Sequence, residues 1–193
     1  SNIDYVDLEL NKIYTKNLII EACKLCLRAN AKITTACSGG LDSSIIYLVI
    51  DKLIKENNIF KDISKNYTPF FLDFSESTLS EIKYISSLEE NTNKKFNKVT
   101  VDSRNINHQT ILNTIYHSES LLQCNFGLYT LYKSMAARGY KVSIDGHGPD
   151  EMLGGYVSHF KSLINESYKN KESDFESLKS HRVSFSYLDN LDD

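Results

Sequence analysis

One stretch constrains this chain more than any other. KITTAC, residues 32–37, is short and β-branched and reads as a buried strand. CSGGLDSS, residues 37–44, follows at once. SSIIYLVIDKLIKEN, residues 43–57, then places Ile45, Ile46, Leu48, Val49, Leu53 and Ile54 at helical spacing. An ordinary turn needs one or two glycines. This loop adds three hydroxyls, Ser38, Ser43 and Ser44, and one carboxylate, Asp42. A glycine-rich loop that runs from a strand into a helix is an anion site, because its N–H groups point outward and the helix dipole favours negative charge. Gly39 and Gly40 allow close backbone approach to a phosphate. Asp42 would repel that phosphate unless a cation such as Mg²⁺ lies between them. The competing reading is a serine-rich turn and cap that holds no ligand.

The same alternation continues along the chain. YTPFFLDF (67–74), FNKVTVD (96–102) and YKVSID (140–145) read as strands, with Pro69 casting the first half of 67–74 in doubt. Residues 16–30 read as a helix with Leu18, Ile19, Ala22 and Cys26 as its apolar positions. Residues 77–93, 108–120 and 126–139 read as further helices, the first capped by Ser77 or Ser80 with Glu81 in its first turn, the last closed by Gly139. Strands alternating with helices imply βαβ units and a parallel sheet, with ligands bound at the carboxyl ends of the strands. Both glycine-rich loops, 37–44 and 146–156, fall at that edge. The division expected is a lead-in linker at 1–15, a domain carrying both loops at 16–160 and a polar C-terminal segment at 161–193.

The chain of 193 residues carries a net charge of −3, which argues against a large nucleic-acid footprint. No apolar run reaches the ~20 residues that cross a bilayer, and no signal peptide is visible. A cytoplasmic location is therefore expected. Cys23 and Cys26 form a CxxC, but no second pair follows to complete a zinc site. The expectation is a helix with at least one of the two cysteines buried.

The string S-G-G-x-D-S-S lacks the Gly-Lys-Ser/Thr end of a Walker A loop and is not the G-x-G-x-x-G of dinucleotide binders. It resembles the PP-loop of the ATP pyrophosphatase superfamily. The second loop, DGHGPDEMLGGY (145–156), is similar to the asparagine synthetase signature, read roughly as S-G-E-G-x-D-E-x-F-G-G-Y. Gly146, Gly148, Asp150, Glu151, Gly154, Gly155 and Tyr156 match it. The resemblance implies a Rossmann-like α/β fold of the adenine nucleotide alpha hydrolase type, a parallel sheet flanked by helices. It implies ATP and Mg²⁺, activation of a small carboxylate such as aspartate as an acyl-adenylate, and displacement of AMP by ammonia or another amine. Ser38, Gly39, Gly40, Ser43 and Ser44 would cradle the pyrophosphate. Asp42 and Asp150 would hold Mg²⁺. Leu72, Asp73, Asp145 and Gly146 would line the adenine pocket.

Three departures bear on that expectation. His147 stands where asparagine synthetases carry a glutamate, so a different carboxylate and a base role for the imidazole, with Asp150 as the second catalytic residue, enter the reading. A glutaminase domain with its cysteine nucleophile is absent from these residues, and the Ser-Asn start fits a segment from which such a domain was separated. The family's catalytic lysine lies beyond the GGY motif, and Lys161, Lys169, Lys171 and Lys179 have no matching context. The alternatives are a related ligase that forms another amide, a lactam or a cyclised peptide, and a degenerate nucleotide-binding domain. A tRNA thiolase is disfavoured by the acidic charge balance and by the second loop.

Overall fold

The structure is a computed structural model. It describes residues 8–56, 60–74, 82–102, 104, 106–119, 125–156, 158–159, 161–163 and 166. The predicted caps Ser77 and Ser80 and the first-turn Glu81, together with Cys124, Lys169, Lys171 and Lys179, lie outside the described residues. The chain divides into two units, 1–146 and 147–193.

The first unit opens with helix α1 (Leu8–Cys26), followed by strand β1 (Ile33–Thr34) and helix α2 (Leu41–Glu56). A short helix α3 (Lys61–Ser64), not foreseen in the sequence, leads to β2 (Phe70–Phe74). Then come α4 (Ile82–Thr92), β3 (Asn97–Val101), α5 (His108–Ser118), α6 (Phe126–Ala137) and β4 (Val142–Ser143). Among the described residues all the strand pairings are parallel. β1 pairs with β4, Ile33 opposite Val142, and β2 with β3, Phe70 opposite Asn97. A single parallel bridge, Ala36 to Phe70, joins the two pairs into the order β3-β2-β1-β4. The expected parallel α/β architecture is therefore present. β1 and β4 are shorter than the predicted runs, and β2 starts one residue after Pro69, where the missing N–H ends to matter.

Side-chain alternation along β2 divides the core in two. Phe71 faces a cluster with Cys23, Leu27, Tyr47, Ile50, Ile54, Ile85 and Leu88, so α1, α2 and α4 cover that face. Phe70 faces Val99, Leu131, Met135 and Tyr140, so α6 covers the other. Helices on both faces of a parallel layer are the layering that βαβ crossovers produce.

Two helix faces differ from the sequence reading. α1 starts at Leu8, inside the stretch read as a linker; Cys23 and Leu27, the residue just past its end, are buried while Leu18 and Cys26 are exposed. The inward stripe is Ile19, Cys23 and Leu27, spaced by four, and the expected Leu18, Ala22 and Cys26 positions lie off it. The cysteine expectation holds, with Cys23 buried and Cys26 exposed. Burial pushes the Cys23 thiol up to about 11. On α2, Tyr47 and Ile50 are fully buried, whereas Ile45 and Leu48 are turned outward.

The second unit begins at His147. Its described part contains helix α7 (Pro149–Leu153) between two left-handed glycines, Gly148 at φ 104° and Gly154 at φ 72°. Among the described residues no helix is long and apolar enough to cross a membrane.

Candidate active site

The first loop begins where β1 is clamped to its neighbour. The Cys37 N–H donates to the Phe70 carbonyl at 2.9 Å, and the Phe70 N–H donates to the Thr35 carbonyl at 2.9 Å. The chain then turns through Gly39 at φ 90°, a conformation natural to glycine. Ser43 is the hub of the turn. Its hydroxyl accepts the Ser38 N–H at 3.1 Å, donates to the Gly40 carbonyl at 3.2 Å and lies 3.1 Å from the Ser38 hydroxyl. The Ser38 hydroxyl also accepts the Gly40 N–H at 3.2 Å. The loop is thus preshaped by its own serines. Asp42 and the half-buried Ser44 follow in the first turns of α2, a helix of 16 residues whose N-terminus faces the loop.

Gly146 comes to the same place from the end of β4. A Cβ on it would lie 2.6 Å from the Ser43 nitrogen and 2.8 Å from the Asp42 carbonyl carbon, so only glycine allows the two backbones to touch. The neighbouring Asp145 is tied down on three sides. Its Oδ1 accepts the Ala36 N–H at 2.8 Å and the Ser143 hydroxyl at 2.5 Å, and its Oδ2 accepts the Tyr132 hydroxyl at 2.7 Å. Burial, and then the bond to Asp145, raise the Tyr132 hydroxyl well above its ordinary pKa, which keeps it a donor. Tyr132 and Ser143 were not singled out from the sequence. Ser143 is only two positions from Asp145, but Tyr132 is 13 and the Ala36 partner 109 positions away, which no local window shows.

Leu72 and Asp73 lie at the carboxyl end of β2, on the same edge. The Asp73 carboxylate is 2.7 Å from the Lys98 ammonium of β3. Leu72 packs toward α6, where a Cβ on Gly127 would approach its Cδ2 to 3.1 Å and the Phe74 ring to 2.8 Å. Gly127 therefore lets the start of α6 press on the end of β2. The structure brings Ser38, Gly39, Gly40, Asp42, Ser43, Asp145 and Gly146 together and puts Leu72 and Asp73 along the same strand edge.

In the second unit, α7 carries Asp150 and Glu151 in its first turn. Gly155 donates its N–H to the Asp150 carbonyl at 2.8 Å, and a Cβ there would sit 1.9 Å from the Asp150 Oδ1. The glycine pair is thus shaped to the carboxylate. Glu151 accepts the Tyr156 hydroxyl at 2.7 Å, and this bond leads the causes that hold its carboxyl below the usual range. The Tyr156 and His159 rings meet edge to face at 5.2 Å. His147 is exposed. No group of three metal-binding side chains is assembled among the described residues.

A 26% identical stretch of 155 residues aligns with amidase chyE of Penicillium rubens, covering 77% of this chain and 23% of that protein. The chain thus spans about a quarter of the length of the curated relative it matches. Among solved structures, an NH3-dependent NAD synthetase from Campylobacter jejuni, in complex with nitrate, is 18% identical with a TM-score of 0.45, over 90% of this chain and 86% of that one. The profile of asparagine synthase matches residues 15–190, nearly the whole chain. A chain with this loop at the carboxyl edge of a parallel sheet, matched over that length, belongs to the asparagine synthase family of ATP-using, amide-forming ligases.

Proposed function

We propose that this chain is the ATP-binding part of a ligase that builds an amide through an acyl-adenylate. A carboxylate oxygen of the substrate attacks the α-phosphorus of ATP, and pyrophosphate leaves. The nitrogen of ammonia or another amine then attacks the acyl carbon, its surplus proton passes to a base, and AMP leaves. The observation that carries this reading is the contact of Gly146 with Ser43. Two loops far apart in sequence meet backbone to backbone, with no side chain between them, beside the N–H groups at the head of α2. That is a cradle for a polyphosphate.

Within it, the N–H groups around Gly39 and Gly40 and the hydroxyls of Ser38, Ser43 and Ser44 bind the leaving pyrophosphate. Ser43 now donates to the Gly40 carbonyl, so binding requires its hydroxyl to rotate. Leu72, Asp73, Asp145 and Gly146 flank the nucleoside. Asp145 acts mainly by positioning, since its carboxylate is taken up by three protein donors. A carboxylate among phosphate-binding donors fits a hard divalent cation with oxygen ligands. Asp42 would hold Mg²⁺. The ion, when bound, neutralises charge on the phosphate oxygens. His147 is the proposed base for the amine proton, with Asp150 beside it in sequence.

Aspartate and ammonia are the substrates of the simplest version, and a glutaminase domain elsewhere in a longer protein would supply the ammonia. The name of the curated relative also speaks for amide chemistry. The test is pyrophosphate release from Mg-ATP with aspartate and ammonia added or omitted, run on the chain and on Asp42→Ala. Carboxylate-dependent release that is lost in D42A, along with most of the nucleotide affinity, is the expected result. A D42A chain that binds nucleotide as well as its parent would leave the degenerate-domain reading standing.

A further inference from the structure

We propose that the groove between α5 and α6 holds the acyl tail of the substrate, and that it selects a carboxylic acid bearing an aromatic or extended apolar group over aspartate. This rests on the ligase reading above. The groove encloses a cavity of about 610 Å³. That is within the ~300–1,000 Å³ of small-molecule sites, and an aspartate would leave most of it empty.

Its walls suit a ring. His117 of α5 stacks on Tyr129 of α6 with centroids 5.5 Å apart and planes at 23°. The Lys133 ammonium lies 5.7 Å above the same Tyr129 ring. Leu128, Tyr132 and Ala136 complete the apolar lining. The polar groups on the walls are largely committed. The Thr114 hydroxyl donates to the Thr110 carbonyl at 2.8 Å, and Asn125 Oδ1 accepts the Leu128 N–H at 3.0 Å. Lys133 would meet one carboxylate of a ligand, while an aryl group gains stacking and dispersion from the rest of the lining.

The groove also leads to the right place. Tyr132 forms part of its wall and donates to Asp145, whose other oxygen holds the Ala36 N–H one residue before Cys37. Gly127 seats the start of α6 on the carboxyl end of β2. A tail lying along α6 would therefore present its carboxylate at the strand edge where adenylation is proposed.

The experiment uses the full 193-residue chain. Binding of 3-phenylpropionate and of aspartate is measured by ligand-detected NMR and calorimetry, and binding of a fluorescent ATP analogue is measured in parallel. Ala136→Phe fills the groove from an exposed helix position, and Tyr129→Ala removes one wall. Circular dichroism checks that each variant is folded. The expectation is that 3-phenylpropionate binds about tenfold or more tighter than aspartate, that it loses at least that factor in a folded variant, and that nucleotide affinity does not change. Equal binding of the aryl acid to parent and variants, or none to the parent, would overturn the proposal. If aspartate then drove pyrophosphate release, the ligase reading would survive without the groove. A parent chain that bound the aryl acid but no nucleotide would sink the ligase reading, and the acyl-pocket assignment with it.

Discussion

Asp145 and Gly146 are adjacent and do opposite things. The carboxylate of Asp145 fastens β4, α6 and the exit of β1 by three hydrogen bonds, whereas Gly146 contributes by having no side chain at all. Asp145→Ala leaves the Ala36 N–H and two hydroxyls without their acceptor, and is expected to cost about 1–3 kcal/mol or more in urea denaturation. Gly146→Ala is expected to act differently. Its Cβ would push the Ser43 backbone away, so nucleotide affinity should drop about tenfold or more while stability changes less. Titration with a fluorescent ATP analogue reads the first effect. Unchanged affinity in a folded G146A chain would mean that the two loops do not form one cradle. Gly146 was legible in the sequence as part of a motif, but the residue it must make room for was not. The anchoring role of Asp145 was hidden, because two of its three partners, Ala36 and Tyr132, come from other parts of the chain.

At the scale of elements, the sequence located nearly all the helices and strands in their right order, because strand and helix periods differ and the breakers are clear. It was weaker on faces and ends. α1 shows apolar residues on more than one side, and packing chose Ile19, Cys23 and Leu27 as the inward stripe, leaving Leu10, Tyr14, Leu18 and Leu25 exposed. The N-caps of α5 and α6 were also left unassigned. α5 and α6 each start at an asparagine, Asn107 and Asn125, whose side chain accepts the N–H three residues on, at 2.9 and 3.0 Å. Asn107 also accepts the Thr110 hydroxyl at 3.0 Å. Asn107→Ala should cost about 1 kcal/mol, measured by the shift in thermal or urea midpoint. A shift within error would show that tertiary contacts hold the start of α5 without its cap.

At the scale of the molecule, the first unit buries hydroxyls as well as hydrocarbon. The Tyr67 hydroxyl meets Thr35 at 2.7 Å, and Tyr47 meets Thr92 at 2.7 Å, both in the core. Burial pushes Tyr47 up to about 12 and Tyr67 well above its ordinary range. In the unfolded chain both ionise near pH 10. Between about pH 10 and 12 the unfolded state therefore holds fewer protons than the folded one, and stability falls as pH rises. Urea midpoints measured at pH 8 and pH 11 should show that loss. Tyr47→Phe should be less stable at pH 8, through a lost hydrogen bond, yet lose less between the two pH values. An equal loss in parent and variant would place the alkaline sensitivity elsewhere.

The sequence by itself determined the parallel α/β class, the order of most elements and the places of the two glycine-rich loops. Those depend on local period, on glycine and proline, and on residue types that keep their meaning without neighbours. The tertiary structure alone decided which face of α1 and α2 is inward, that Ala36 and Tyr132 anchor Asp145, that Gly146 touches Ser43, and that α5 and α6 enclose a groove. Each of these is a contact between segments distant in the chain. Such contacts follow from how whole elements share one core, and no local window carries that information.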